Sequence, residues 1–403
     1  MILYFIGLTE SYEGEGYDRK NLKIPQNQEE LLAEIAETVG KDHIAAISFG
    51  GAPMDFSFEK NVGAILHMYL GGQAVGESVA DLISGEVNPS GKLAETIPFS
   101  EKDTPAWRYF APPNDDVEYR ESIFVGYRYY ETFHVPVKYP FGYGLSYTSF
   151  SYSELNVPEV YSGGKKQIRF KIKNIGKVSG AEIAQLYICP IESDVIRSHI
   201  ELKGFQKIYL HPGEEKEVIL ELDERSFSVY DVEKKAFSML SGKYQICIGA
   251  SVHDLQLKAN MEVVGNSYFR NERELFPDYF REQPHGMEIS AEQFYQLLGG
   301  EPKHDKEKKR GEYTVYDSYQ DVVNVSMFGK FVRGVVHIGL KIILRGKSER
   351  DPAFKMVKMG VEEGNLEGLI ATSGGIATPK LIDMLVYNAN KKYLQAFKRL
   401  LKK

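Results

Sequence analysis

Ile2-Leu3-Tyr4-Phe5-Ile6-Gly7, followed closely by Glu10-Ser11-Tyr12-Glu13-Gly14-Glu15-Gly16-Tyr17-Asp18-Arg19, opens the chain. The first run is short, apolar and closed by glycine, the pattern of a buried strand. Leu22, Ile24 and Pro25 come next, and a helical pattern starts at Gln26. An acidic loop therefore hangs from a strand end, which is where ligands bind in open α/β sheets. Glu13, Glu15 and Asp18 fall within six residues, hinged by Gly14 and Gly16. Clustered like charges raise one another's pKa, and a raised carboxyl is what an acid catalyst needs near neutral pH. The spacing equally describes a solvated surface loop, the ordinary fate of a charge run.

Working outward, residues 1–100 alternate between strand and helix patterns. Ile2–Ile6, His43–Phe49 and Ala64–Tyr69 read as strands, and Glu29–Thr38 and Val75–Ser84 as helices. Strands separated by helices imply a parallel sheet with crossover connections. Gly50-Gly51 and Gly71-Gly72 follow strands, where a tight turn needs a residue without Cβ. A phosphate-cradling loop is disfavoured, because no Gly-x-x-x-x-Gly-Lys-Ser/Thr pattern occurs.

The acidic loop resembles the acid/base loop of glycoside hydrolase family 3, the β-glucosidase and β-xylosidase family. That loop reads Glu-Gly-(Tyr/Phe)-Asp-Arg before a Leu-x-Leu-Pro-like segment, here Glu15-Gly16-Tyr17-Asp18-Arg19 and Leu22-Lys23-Ile24-Pro25. The resemblance implies that Glu15 is the general acid/base, with Glu13 as the near alternative and Tyr17, Asp18 and Arg19 as loop support. It extends through Gly51-Ala52-Pro53, Gly71-Gly72-Gln73-Ala74-Val75-Gly76 and Asn88-Pro89-Ser90-Gly91-Lys92-Leu93. Gly126-Tyr127-Arg128-Tyr129-Tyr130-Glu131 and Pro140-Phe141-Gly142-Tyr143-Gly144-Leu145-Ser146-Tyr147-Thr148 continue it. The tyrosine-rich stretch fits sugar stacking or an interdomain seam, and the seam is preferred because aromatics are enriched at interfaces.

Residues 151–264 change period. Gln167-Ile168-Arg169-Phe170-Lys171-Ile172-Lys173 alternates polar and apolar residues, and Ala184–Cys189, Glu217–Leu222 and Tyr244–Ile248 follow, punctuated by Asn174, Gly180, Pro212-Gly213 and Gly242. Short strands with regular turns argue a β-sandwich. Leu202-Lys203-Gly204-Phe205, Pro212-Gly213-Glu214 and Gly242-x-Tyr244 resemble the fibronectin type III-like domain of many family 3 members. The expected fold is thus a partial α/β parallel-sheet sandwich (1–150), a fibronectin type III-like β-sandwich (151–264), a polar linker (265–310) and a basic helical tail (311–403).

The tail holds 15 Lys and Arg against 6 Asp and Glu over residues 326–403, in a chain of formal charge −7. Phe331–Leu344 is apolar but interrupted by Arg333, His337 and Lys341, as in an amphipathic helix lying on a protein or an anionic membrane. The protein surface is the preferred reading, since His337 and the glycines are ordinary in packed helices. The overall charge gives no argument for nucleic-acid binding. No uncharged run approaches the ~18 residues of a membrane span. Cys189 and Cys247 do not make a disulfide framework and read as buried free thiols, with a bridge as the alternative. The opening apolar run is too short for a signal peptide and lacks a basic flank, so a cytoplasmic location is expected.

In family 3 the nucleophile is an aspartate in a Ser-Asp-Trp-like motif on a (β/α)-barrel that precedes the α/β sandwich. Trp107 is the one tryptophan and no aspartate precedes it; Ser193-Asp194-Val195 falls in the β-rich region, and Lys303-His304 in the charged linker. The resemblance therefore implies the C-terminal part of a retaining β-glycosidase, inactive alone, with carbohydrate as substrate and the barrel either on another chain or lost from the gene as read. A non-catalytic carbohydrate-associated or interaction module is the alternative. Neither requires a metal or an organic cofactor, because two carboxyl groups suffice for the chemistry. The period-2 region also predicts that residues 151–264 fold alone. Expressed by itself, that segment should give a β-type circular dichroism spectrum and one cooperative melt, and a helical spectrum would refute the reading.

Overall fold

The computed structural model describes residues 1–10, 12–14, 19, 21–110, 117–265, 271–302, 308–345, 351–362 and 364–401. The chain divides into two compact units, one of residues 1–5 and 21–302, the other of residues 6–20 and 303–403. The architecture is a mixed sheet and helix region, then a β-rich region, then helices at the C-terminus.

In the first unit, β1 (Ile2–Gly7), α1 (Gln26–Val39), β2 (Ile44–Phe49), β3 (Ala64–Tyr69) and α2 (Val75–Ser84) follow the expected alternation within a residue or two, except that α1 starts three residues earlier. The sheet order is β1-β2-β3, and β2 and β3 are parallel. Gly72, with φ +74°, makes the turn after β3 that only glycine adopts without cost. Helix α2 ends at Gly85 in the left-handed conformation. Beyond it, β4 (Ile97–Pro98) pairs antiparallel with β5 (Val137–Tyr139), on either side of the short helix α3 (Tyr127–Thr132).

The sandwich is built from β6 (Phe150–Asn156), β7 (Val160–Tyr161), β8 (Lys166–Asn174), β9 (Gly180–Pro190), β10 (Glu201–Leu210), β11 (Glu215–Leu222), β12 (Ser228–Asp231), β13 (Ala236–Met239), β14 (Gly242–Gly249) and β15 (Leu255–Val263). One sheet runs β10-β9-β14-β15-β7 and the other β11-β8-β6, with β12–β13 as a separate hairpin. The alternation seen in the sequence is the inside-outside alternation of β8. Ile168, Phe170 and Ile172 are buried and meet Val218, Leu220 and Leu222 of β11 in the shared core, while Arg169 and Lys171 face outward.

Strand β9 departs from period 2 because both its faces are covered. Ala184, Leu186 and Ile188 enter the sandwich core. Tyr187 and Cys189 lie in a second cluster with Tyr127, Phe141, Ile200, Cys247 and Val252. Tyr127 Oη accepts the Leu202 N–H at 2.9 Å, and its ring stacks on Phe141 at 4.7 Å. Here Tyr127 serves as a seam between the α3 segment and the sandwich. Cys189 and Cys247 are free thiols on neighbouring strands with sulfurs 3.9 Å apart.

The segment expected as a polar linker over 265–310 is instead partly core. After α4 (Glu272–Leu275), Phe276, Tyr279, Met287 and Ile289 are buried with Phe124, Tyr129, Tyr130 and Val135. Tyr129 Oη donates to Gln283 O and accepts from Gly286 N, and Tyr109 Oη bridges both backbone groups of Ile289. The cause of the misreading is dilution: the buried aromatics are spaced among charged residues without helix or strand period. Phe294 and Leu297 of α5 (Ala291–Leu298) pack against the same cluster.

The second unit is helical: α6 (Tyr319–Asn324), α7 (Met327–Ile343), α8 (Pro352–Glu362), α9 (Leu366–Thr372), α10 (Pro379–Ala389) and α11 (Tyr393–Leu401). Ser318, Ser326, Asn365 and Thr378 cap α6, α7, α9 and α10, each accepting a backbone N–H three residues on. Val322, Val323, Val332, Leu366, Ile382 and Leu385 form its core.

The joint between the α/β region and the sandwich comes from one motif. Asn88 Oδ1 accepts from Ser146 Oγ and the Tyr147 N–H, and Asn88 Nδ2 donates to Ser179 O. Lys92 Nζ lies 3.0 Å from Glu182 of β9, with side chains only 12% and 8% exposed, and also donates to Gly144 O. Leu93 exchanges backbone hydrogen bonds with Gly142 and Tyr143. A Cβ on Gly144 would sit 2.4 Å from Gly91 O, so this approach excludes any other residue. Removing one partner of a buried ion pair strands the other charge. Lys92→Met should therefore cost about 3–5 kcal/mol in urea unfolding, and Lys92→Met with Glu182→Leu should recover most of it.

Candidate functional site

The acidic loop leaves β1 through a turn in which the Tyr12 and Glu13 N–H groups both donate to Thr9 O, at 2.7 and 3.0 Å. Glu13 and Gly14 are half-buried. Burial lowers the Arg19 pKa, and the Glu13 charge works against that shift. Glu13 and Arg19 are thus electrostatically engaged within one unit. Glu15, Tyr17 and Asp18, the expected acid/base and two of its supports, lie outside the described residues.

A polar cluster at the carboxyl ends of β2 and β3 escaped the sequence reading. Ser48 and His67 face each other across the parallel ladder, with Oγ 2.9 Å from Nδ1. The His67 ring packs on Tyr69 at 4.0 Å and edge-on to Phe56 at 5.3 Å. Burial holds the His67 pKa low, and the Ser48 hydrogen bond opposes this in part. Tyr69, the last residue of β3, has φ +51°, a strained value for a bulky side chain. Burial, and then the Glu95 carboxylate beside it, push the Tyr69 phenol up. Burial likewise raises the Glu95 carboxyl. His67 Nε2 has no protein partner among the described residues, so no carboxylate orients the ring as a nucleophile-activating triad requires. No local signal pointed here, because Ser48 and His67 sit inside apolar strands and Glu95 lies far along the chain.

A cavity of about 1370 Å³ lies elsewhere in this unit, between the β9–β10 loop and residues 271–282. Its most buried cation, Arg197, is already held by Glu201 at 2.7 Å and by Tyr244 Oη at 3.0 Å. Among the described residues no cluster of three or more His, Cys, Asp or Glu side chains is placed to hold a metal ion.

Residues 1–147 match the glycosyl hydrolase family 3 C-terminal domain, and residues 182–252 the fibronectin type III-like domain. Residues 1–147 carry the C-terminal domain of glycosyl hydrolase family 3. Among its relatives, thermostable β-glucosidase B of Acetivibrio thermocellus is 44% identical over 261 residues, covering 64% of this chain and 34% of that protein. An exo-α-(1→6)-L-arabinopyranosidase of Bifidobacterium breve is 36% identical, covering 66% of this chain and 35% of that protein. Among solved structures, a Bifidobacterium adolescentis family 3 β-glucosidase aligns with TM-score 0.63 and 37% identity, covering 66% of this chain and 39% of that one. β-Glucosidase 3B of Thermotoga neapolitana, in complex with α-D-glucose, aligns with TM-score 0.60 and 34% identity, covering 66% and 38%. The chain thus spans about a third of the length of the curated relatives it matches.

The low His67 pKa sets a pH dependence. Between its folded value and the unfolded value near ~6.5, the unfolded chain binds more protons, so stability falls as pH drops through that window. His67→Gln should flatten the dependence of unfolding free energy on pH below about 6.5. His199, also held low by burial, acts in the same direction, so the slope should shrink without vanishing.

Proposed function

We propose that this chain supplies the acid/base carboxyl of a retaining β-glycosidase. Glu15 is that group, Tyr17, Asp18 and Arg19 support its loop, and turnover requires a (β/α)-barrel bearing the nucleophile. The observation carrying this reading is Glu15-Gly16-Tyr17-Asp18-Arg19 in register after β1, inside the matched family 3 domain. In the first half-reaction the acid protonates the leaving glycosidic oxygen while the barrel carboxylate attacks the anomeric carbon. In the second it takes a proton from water, which opens the glycosyl-enzyme and regenerates both groups. The substrate is a terminal β-linked glycoside, and sugar choice rests with the barrel.

The test is a chimera in which residues 1–264 replace the corresponding part of thermostable β-glucosidase B, assayed beside the 403-residue chain alone. The lone chain should not hydrolyse an aryl β-glucoside. In the chimera, Glu15→Gln should lose ~10²–10⁴-fold on substrates with poor leaving groups and much less on activated ones. Azide should partly rescue Glu15→Ala by forming the glycosyl azide. Hydrolysis by the lone chain, or full activity in Glu15→Gln beside a dead Glu13→Gln, would overturn the assignment.

A further inference from the structure

Helix α7 has two faces of opposite fate. Val332 is buried in the core of its unit, and Phe328 and Val336 pack against that core. Met327, Phe331, Val335, Ile338 and Ile342 recur every three or four residues along the outer side and are between 53 and 84% exposed. By helical rise this apolar stripe is ~22 Å long. Lys330, Arg333, His337 and Lys341 form a second exposed row with the same spacing, offset to one side of it. The helix contains no carboxylate. Helix α11 repeats the pattern, with Leu394, Phe397 and Leu401 exposed, Lys398 in its last turn and no acidic residue. No described helix is long and apolar enough to cross a membrane.

An exposed apolar stripe beside a cationic row is the construction of a helix lying in the plane of a lipid interface. The apolar residues enter the headgroup–acyl boundary, and the long cationic side chains reach back to anionic headgroups. The charge argues against a second copy of α7 as the cover, because two cation-bearing, carboxylate-free helices would repel. We propose that α7 docks this protein peripherally on an anionic lipid bilayer through Met327, Phe331, Val335, Ile338 and Ile342, with Lys330, Arg333 and Lys341 selecting the lipid charge. The sequence pattern had favoured a protein surface for this stretch; the structure gives its inner face that surface and leaves the outer face uncovered by the helices of its own unit.

The test is co-sedimentation of the 403-residue chain with phosphatidylcholine vesicles, with and without phosphatidylserine. Binding should favour the anionic vesicles and weaken with added salt. Lys330→Glu with Lys341→Glu should lower anionic partitioning by at least about fivefold for each cation removed. Phe331→Glu with Ile338→Glu should abolish it while helical circular dichroism is unchanged, since both positions face solvent. Phe331→Trp provides a readout independent of the charge variants: its emission should shift to the blue with anionic vesicles only. Equal binding to neutral vesicles, no binding to either, or an unshifted Phe331→Trp would overturn the proposal. So would a chain that is dimeric by light scattering and becomes monomeric in Phe331→Glu with Ile338→Glu, which would give the stripe to a second copy.

Discussion

The ion pair between Lys92 and Glu182 fixes the joint between the α/β region and the sandwich in the first unit. Two charges held out of water persist only where their geometry is fixed and their remaining hydrogen-bonding capacity is met. Both conditions hold, since Lys92 also donates to Gly144 O and Glu182 accepts its neighbour's N–H from Ile183. Asn88, two backbone bonds at Leu93 and a glycine that tolerates no side chain hold the same joint. Asn88-Pro89-Ser90-Gly91-Lys92-Leu93 therefore reads physically as a structural joint, through Asn88 and Lys92.

The same constraint explains the weight of tyrosine in the chain. A sandwich strand covered on both faces needs large side chains that fill space and still satisfy a polar tip. Tyr127, Tyr129, Tyr187 and Tyr279 do this, each burying its ring and placing its hydroxyl against a backbone group or a buried amide. An aromatic cluster that could have stacked on sugar is occupied in joining segments of the unit.

The second unit follows a different logic. Its helices are set by side-chain caps and a compact aliphatic core, and its cations gather on the outside. A body that is acidic over most of its length thus carries a basic, partly apolar terminal unit. Such an asymmetry directs association toward anionic surfaces without altering the fold of either unit.

The sequence by itself determined the elements whose burial follows a period. The strands and helices from Ile2 to Ser84 were legible from their apolar runs and their alternation, and the strand at Gln167–Lys173 because it has one covered face, so that local pattern and tertiary environment agree. The acidic loop was legible as a motif, through residue types and spacing alone. Only the tertiary structure decided what depends on contacts between distant residues. It placed both faces of β9 in cores, turned residues 276–289 from linker into core, and brought Ser48, His67, Tyr69 and Glu95 together. It also showed which side of α7 is covered, which the helical period leaves open, because an amphipathic pattern marks an apolar face without naming what lies against it.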